Sequence, residues 1–178
     1  EAWQAGIFLP NAELGGLMLD ASGGAPGSDL QHAAIRRWTA PRDGVVSIAG
    51  QIKHVSMNGD GVRARIVSSR SGEVGAWRVF YTFADATVAS LPVKRGDTVD
   101  FVVDCAGDDA EDRFLWSPTV TLTSGETAPR ASRFREAGIK WSALDDFGGP
   151  PEAAARPLTP LEKYAQILLL SNEFAFVD

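Results

Sequence analysis

From Ala34 onward the chain is cut into short runs of β-forming residues by turn residues at close, even spacing, and this punctuation constrains the fold more than any other feature. Pro41-Arg42-Asp43-Gly44, Asn58-Gly59-Asp60-Gly61, Ser71-Gly72 and Lys94-Arg95-Gly96-Asp97 each supply residues that preset a turn or tolerate positive φ. Strands are predicted between them, at 34–40, 44–55, 61–69, 74–82, 86–93, 97–104 and 113–122, with an eighth around Gly16–Asp20. Seven or eight antiparallel strands in about 90 residues predict a mainly β fold, an antiparallel two-sheet β-sandwich of jelly-roll type.

Alternation supports these strands. Val46, Ile48 and Ile52 share one parity, as do Val62, Ala64 and Ile66, and Val99, Phe101 and Val103, and these residues are the predicted core. The opposite parity carries Ser47, Gln51 and Lys53, then Arg63 and Arg65, then Thr98, Asp100 and Asp104. That polar face is either solvated or the wall of a ligand groove, and parity does not choose between them.

The sandwich is assigned to residues 1–123. Residues 124–158 follow neither the strand nor the helix period and hold Pro129, Gly148, Gly149, Pro150, Pro151 and Pro157, so they read as an extended arm or linker. Residues 159–178 open with Thr159-Pro160-Leu161-Glu162, an N-cap hydroxyl, a proline at the first helical position and a capping-box glutamate, which predict one C-terminal α-helix. Leu161, Tyr164, Ala165, Leu168 and Leu169 fall near one stripe, which is expected to pack on the sandwich or on a missing partner domain.

Composition excludes several classes. In 178 residues, 44% hydrophobic and 22% charged is a globular balance, at odds with disorder. The apolar run Ile167–Leu170 is too short for membrane insertion. A net charge of -6 repels phosphate backbones, so no nucleic-acid partner is expected. The single Cys105 excludes an internal disulfide, a Cys-rich zinc site and covalent c-type haem within this chain. Because it starts at Glu1 without an initiator Met or a leader, the chain reads as a piece of something longer.

No nucleophile elbow, zinc-hydrolase helix motif, phosphate loop or dinucleotide fingerprint is present, and no catalytic residues are assigned. Asp104, Asp108, Asp109, Glu111 and Asp112 put five carboxylates in nine residues. Hard cations favour such oxygen clusters, and Asp104, Asp108 and Asp112 are candidate ligands of a structural calcium; the alternative is a solvated acidic turn.

Of the five tryptophans, Trp38 and Trp116 are expected in the core, whereas Trp77 is either a core residue or a platform for the apolar face of a sugar ring. Gly72, Gly75 and Ala76 leave room beside Trp77, and Arg78 and Tyr81 are placed to contact hydroxyls. His54, Asp60 and Arg63 form a candidate polar cluster on one rim; otherwise His54 ties down a loop through a backbone hydrogen bond. Arg63 and Arg65, two apart, project from one face as an anion or uronate contact or as a solvated salt-bridged pair.

Ala33-Ala34-Ile35-Arg36-Arg37-Trp38-Thr39-Ala40-Pro41, Gly59 to Val67, Gly96 to Asp104, Asp112-Arg113-Phe114-Leu115-Trp116-Ser117-Pro118, Pro157 to Glu162 and Gln166 to Phe174 form a recognisable set. On these residues the chain resembles the C-terminal region of large planctomycete cytochrome c proteins that carry long domains of unknown function. The resemblance implies an extracytoplasmic protein whose haem lies upstream of Glu1, with a sandwich similar in outline to carbohydrate-binding modules. It supplies no catalytic residues.

The expectation is a noncatalytic accessory module that binds polysaccharide through Trp77, Arg78, Tyr81, His54, Asp60, Arg63 and Arg65. The alternative is a docking module that packs on the upstream domains of the parent chain and binds no sugar.

Overall fold

The computed structural model describes residues 2–124 and 138–146, all within the unit Glu1–Phe147. Three short strands come first, β1 (Ala2–Gln4), β2 (Met18–Asp20) and β3 (Gly23–Ala25). Then follow β4 (Ala34–Thr39), β5 (Gly44–Ala49), β6 (Gln51–His54), β7 (Val62–Ser68) and β8 (Gly72–Val79). The remainder are β9 (Phe83–Asp85), β10 (Val88–Val93), β11 (Thr98–Cys105), β12 (Phe114–Leu115), β13 (Thr119–Thr123) and β14 (Ile139–Ser142). The fold is mainly β, and the described residues contain no helix.

Among the described residues every strand pairing is antiparallel, and the strands form three open sheets where two were expected. One has the order β1-β2-β3-β12-β6-β9, the second β10-β5-β13-β14 and the third β4-β11-β7-β8. The extra sheet arises because three runs each cross from the first sheet to the second. The run 44–55 divides at Gly50 into β5 and β6, the run 113–122 divides at Trp116–Pro118 into β12 and β13, and β9 and β10 flank Ala86. The three breaks lie side by side: Ala86 N–H donates to the Gly50 carbonyl at 2.8 Å, and a Cβ on Gly50 would stand 3.1 Å from Pro118 Cα. Glycine permits that close approach, and Pro118, having no N–H, cannot extend a ladder.

Four strands escaped the alternation rule because they are only three or four residues long: β1, β3, β9 and β14. The last lies inside 124–158, where Ile139–Ser142 pairs with β13 from Thr119↔Ser142 to Leu122↔Ile139. The rest of that stretch, and the helix expected at 159–178, lie outside the described residues.

The predicted core residues of β5, β6, β7 and β11 are all buried, and they join buried residues of all three sheets in one cluster. Trp38 and Trp116 are in it; Trp116 packs edge-on to Phe101 at 5.5 Å, and Trp38 meets Trp141 of β14 at 5.4 Å. Trp116 Nε1 is buried without a hydrogen-bond partner among the described residues, although buried indoles usually find one. Arg36 leaves the core side of β4 and donates to the carbonyls of Asp20, Ala21, Gly23 and Trp116, tying β2–β3 to the end of β12. Burial lowers its pKa from the ordinary arginine value.

Candidate functional site

The third sheet organises most of the predicted site residues. In β7, Val62, Ala64, Ile66 and Ser68 face the core, so Arg63, Arg65 and Val67 must face outward. The register sets Arg63 opposite Arg78 of β8 and opposite Asp104 of β11, while Arg65 lies opposite Ala76 and Val102. Directly opposed residues share a face, so the outer face gathers Arg63, Arg65, Arg78, Ala76 and Asp104.

Asp104 is the pivot of that face. Its side chain is 0% exposed, and each oxygen accepts one charge-assisted hydrogen bond: Arg63 Nε donates to Oδ1 and Arg65 Nη2 donates to Oδ2, both at 2.8 Å. The two arginine side chains remain about two-fifths and one-third exposed. The hydrogen bond to Asp104 raises the Arg63 pKa above the ordinary arginine value. Arg65 Nε is buried and has no partner among the described residues. Arg78 is exposed and forms no ion pair with a described residue.

Beside these side chains runs a groove of about 370 Å³, lined by Arg63, Ala64, Arg65, Glu73, Ala76, Trp77 and Arg78. Trp77 borders the groove from the other parity. It pairs with core-facing Ala64, its half-buried side chain packs against the core, and its ring lies over Gly75, where a Cβ would stand 2.4 Å from it. A residue larger than glycine at 75 would displace the indole, which is why a small residue stands there.

The remaining predicted residues go elsewhere. His54 does not join Arg63; it ends β6 with its side chain 0% exposed and links two loops. Tyr81 N–H donates to His54 Nδ1 at 3.1 Å, so that nitrogen carries no proton and the ring N–H is on Nε2. Nε2 lies 3.2 Å from both the Glu111 carbonyl and Asp112 Oδ1. Both tied loops hold a non-glycine residue in the left-handed region, Tyr81 at φ 45° and Glu111 at φ 62°, a strained conformation held by this network. Tyr81 itself is exposed, and Phe80 stacks on the His54 ring at 5.9 Å.

Asp112 is wholly buried. Oδ1 also accepts Gly61 N–H at 3.2 Å, while Oδ2 has no partner among the described residues. Burial first, and then the Asp60 carboxylate, push its pKa from 3.8 up to about 6. Asp60 is exposed and packs against Gly107, where a Cβ would meet its carboxylate.

The three carboxylates expected as calcium ligands each have a partner within the protein. Asp104 is occupied by two arginines, Asp108 Oδ1 accepts Ala110 N–H at 2.9 Å, and Asp112 faces His54. Among the described residues no three His, Cys, Asp or Glu side chains are arranged to hold a metal ion.

Sequence reasoning missed two parts of this arrangement. Asp104 as a counter-ion was signalled by its parity, which matches Arg63 and Arg65, but its partner depended on strand register. The His54–Asp112 pair carried no local signal, because 58 positions separate the two residues. No protein-family model matches the chain, and no curated protein matches it.

Proposed function

We propose that this chain is a noncatalytic polysaccharide-binding module whose site is the groove on the outer face of β7 and β8. The observation that carries the reading is the convergence of Arg63, Arg65, Arg78 and Glu73 along one open groove that Ala76 also lines. Its volume is at the low end of the usual ligand range of about 300–1,000 Å³, which suits a short stretch of glycan. Guanidinium and carboxylate groups together supply the donors and acceptors that sugar hydroxyls need.

On this reading the first and second sheets form one bent layer, hinged where Gly50, Ala86 and Pro118 meet, and the third sheet is the facing layer of a jelly-roll-like sandwich. The single core shared by the three sheets supports that arrangement. The resemblance to planctomycete cytochrome c proteins supports an extracytoplasmic accessory role beside haem-bearing domains of a longer chain.

The test is calorimetric titration with neutral, uronic and sulfated polysaccharides, repeated on Ala76→Trp. Ala76 is exposed in the groove, so the indole fills the site without entering the core. Saturable binding to at least one class, lost in Ala76→Trp, is expected; binding that survives the substitution overturns this site.

A second reading, a docking module, is favoured by Ile7 and Phe8, which are 89% and 84% exposed in the β1–β2 connection. Silence across the glycan panel together with binding to the upstream cytochrome-bearing domains would select it.

A further inference from the structure

We infer that the groove selects an anionic sugar, with the guanidiniums of Arg63, Arg65 and Arg78 receiving a carboxylate or sulfate ester on the glycan. This inference rests on the polysaccharide-binding reading and specifies the class of ligand.

Among the described residues, three guanidiniums and the Glu73 carboxylate line the groove and Asp104 lies against two of those guanidiniums, so this group is positive although the whole chain carries -6. A surface of paired charges would offer no such surplus. The neighbouring pair on the same sheet shows the contrast: Arg37 is held by Asp100 through two hydrogen bonds at 2.7 and 2.8 Å, both carboxylate oxygens engaged by one guanidinium. Asp104 instead divides its oxygens between two arginines. Arg63 therefore keeps both of its Nη groups for other acceptors, and Arg65, whose Nε is buried, keeps the remaining N–H groups of its Nη atoms.

Asp104 also supplies rigidity. A fully buried carboxylate beneath two partly exposed arginines fixes where their planar forks lie. Side chains ordered before binding lose less entropy on binding, and planar forks suit two-oxygen acceptors such as carboxylate and sulfate. Asp104 is accordingly a positioning residue, and Arg78, facing Arg63 across the β7–β8 pair without an ion pair among the described residues, is the third contact. Nucleic acid shares the anionic chemistry but fits less well: the chain's net charge opposes a long polyanion, and Trp77, the one aromatic residue lining the groove among the described residues, lies half-buried over Gly75.

The test compares polygalacturonate with its fully methyl-esterified form, which keeps the backbone and removes the charge, and adds a sulfated glycan and single-stranded DNA. Titrations use the full chain, Arg78→Ala, and Lys94→Ala as a control for the loss of an exposed charge elsewhere. The expected result is binding of at least one of the two anionic glycans about tenfold or more tighter than the neutral ester. Arg78→Ala weakens it about tenfold while Lys94→Ala leaves it unchanged. Preference for polygalacturonate assigns the anion to a uronate, and preference for the sulfated chain assigns it to a sulfate ester. Equal affinity for the ester and the acid, or equal losses in the two variants, overturns the anion selectivity while leaving polysaccharide binding in place. Binding of DNA with no glycan bound, or no binding at all, overturns both readings.

Discussion

Asp112 shows how one buried carboxylate makes stability depend on pH. Its pKa of about 6 lies above the ordinary 3.8, so the folded state holds the proton more tightly than the unfolded chain does. The stabilising contribution is complete below about pH 4 and is lost as pH rises through about 6, a span worth about 3 kcal/mol. We therefore expect this group to raise the melting temperature between pH 7.5 and pH 5, and Asp112→Asn to flatten that rise. Asn keeps an oxygen for Gly61 N–H and removes the charge that burial opposes. Thermal melts at the two pH values decide it: an unchanged difference in Asp112→Asn would assign the pH dependence to other groups.

At the scale of the element, β3 is the most demanding strand to form. It contains Gly23-Gly24-Ala25, without β-branched or aromatic side chains, and is sandwiched between β2 and β12. The glycines are needed because the neighbouring strands crowd them: a Cβ on Gly23 would stand 2.0 Å from the Phe114 carbonyl oxygen, and one on Gly24 2.3 Å from that of Met18. Gly23→Ala should thus part β3 from β12 and destabilise the fold by about 2 kcal/mol or more, the cost of overpacking against backbone. The measurement is the urea midpoint, with amide exchange at Phe114 and Leu115 as a local readout. A midpoint within error of the parent would show that β3 and β12 separate at little cost. The weak strand signal of this segment and its dependence on close contact have one origin, since glycine is there for space rather than for propensity.

For the whole molecule, the question is whether three sheets behave as one body. The buried cluster runs through all of them, from Val46 and Leu122 through Ile52 and Phe114 to Ile66 and Phe101. Three runs of chain also cross between the first and second sheets, so neither can lose its ladder without pulling on the other. Indole fluorescence, to which the buried Trp38 and Trp116 contribute, and far-ultraviolet circular dichroism, which reports the strands, should give one shared midpoint in urea. Two separated midpoints would mean that part of the sheet structure melts independently of the shared core.

The mainly β class and much of the core were determined by sequence alone, because turn residues and period-2 alternation are local properties that register in any stretch of five residues or more. That is how Val62, Ala64 and Ile66 were legible as core and Arg63 and Arg65 as outward. The tertiary structure decided what those outward residues do. Strand register placed Asp104 opposite Arg63, and the run bent at Gly50 became two strands in different sheets. Burial brought Asp112 to His54. Each of these outcomes depends on pairing between residues far apart in the chain and on exclusion of water around them. Neither quantity is written in the order of neighbouring residues.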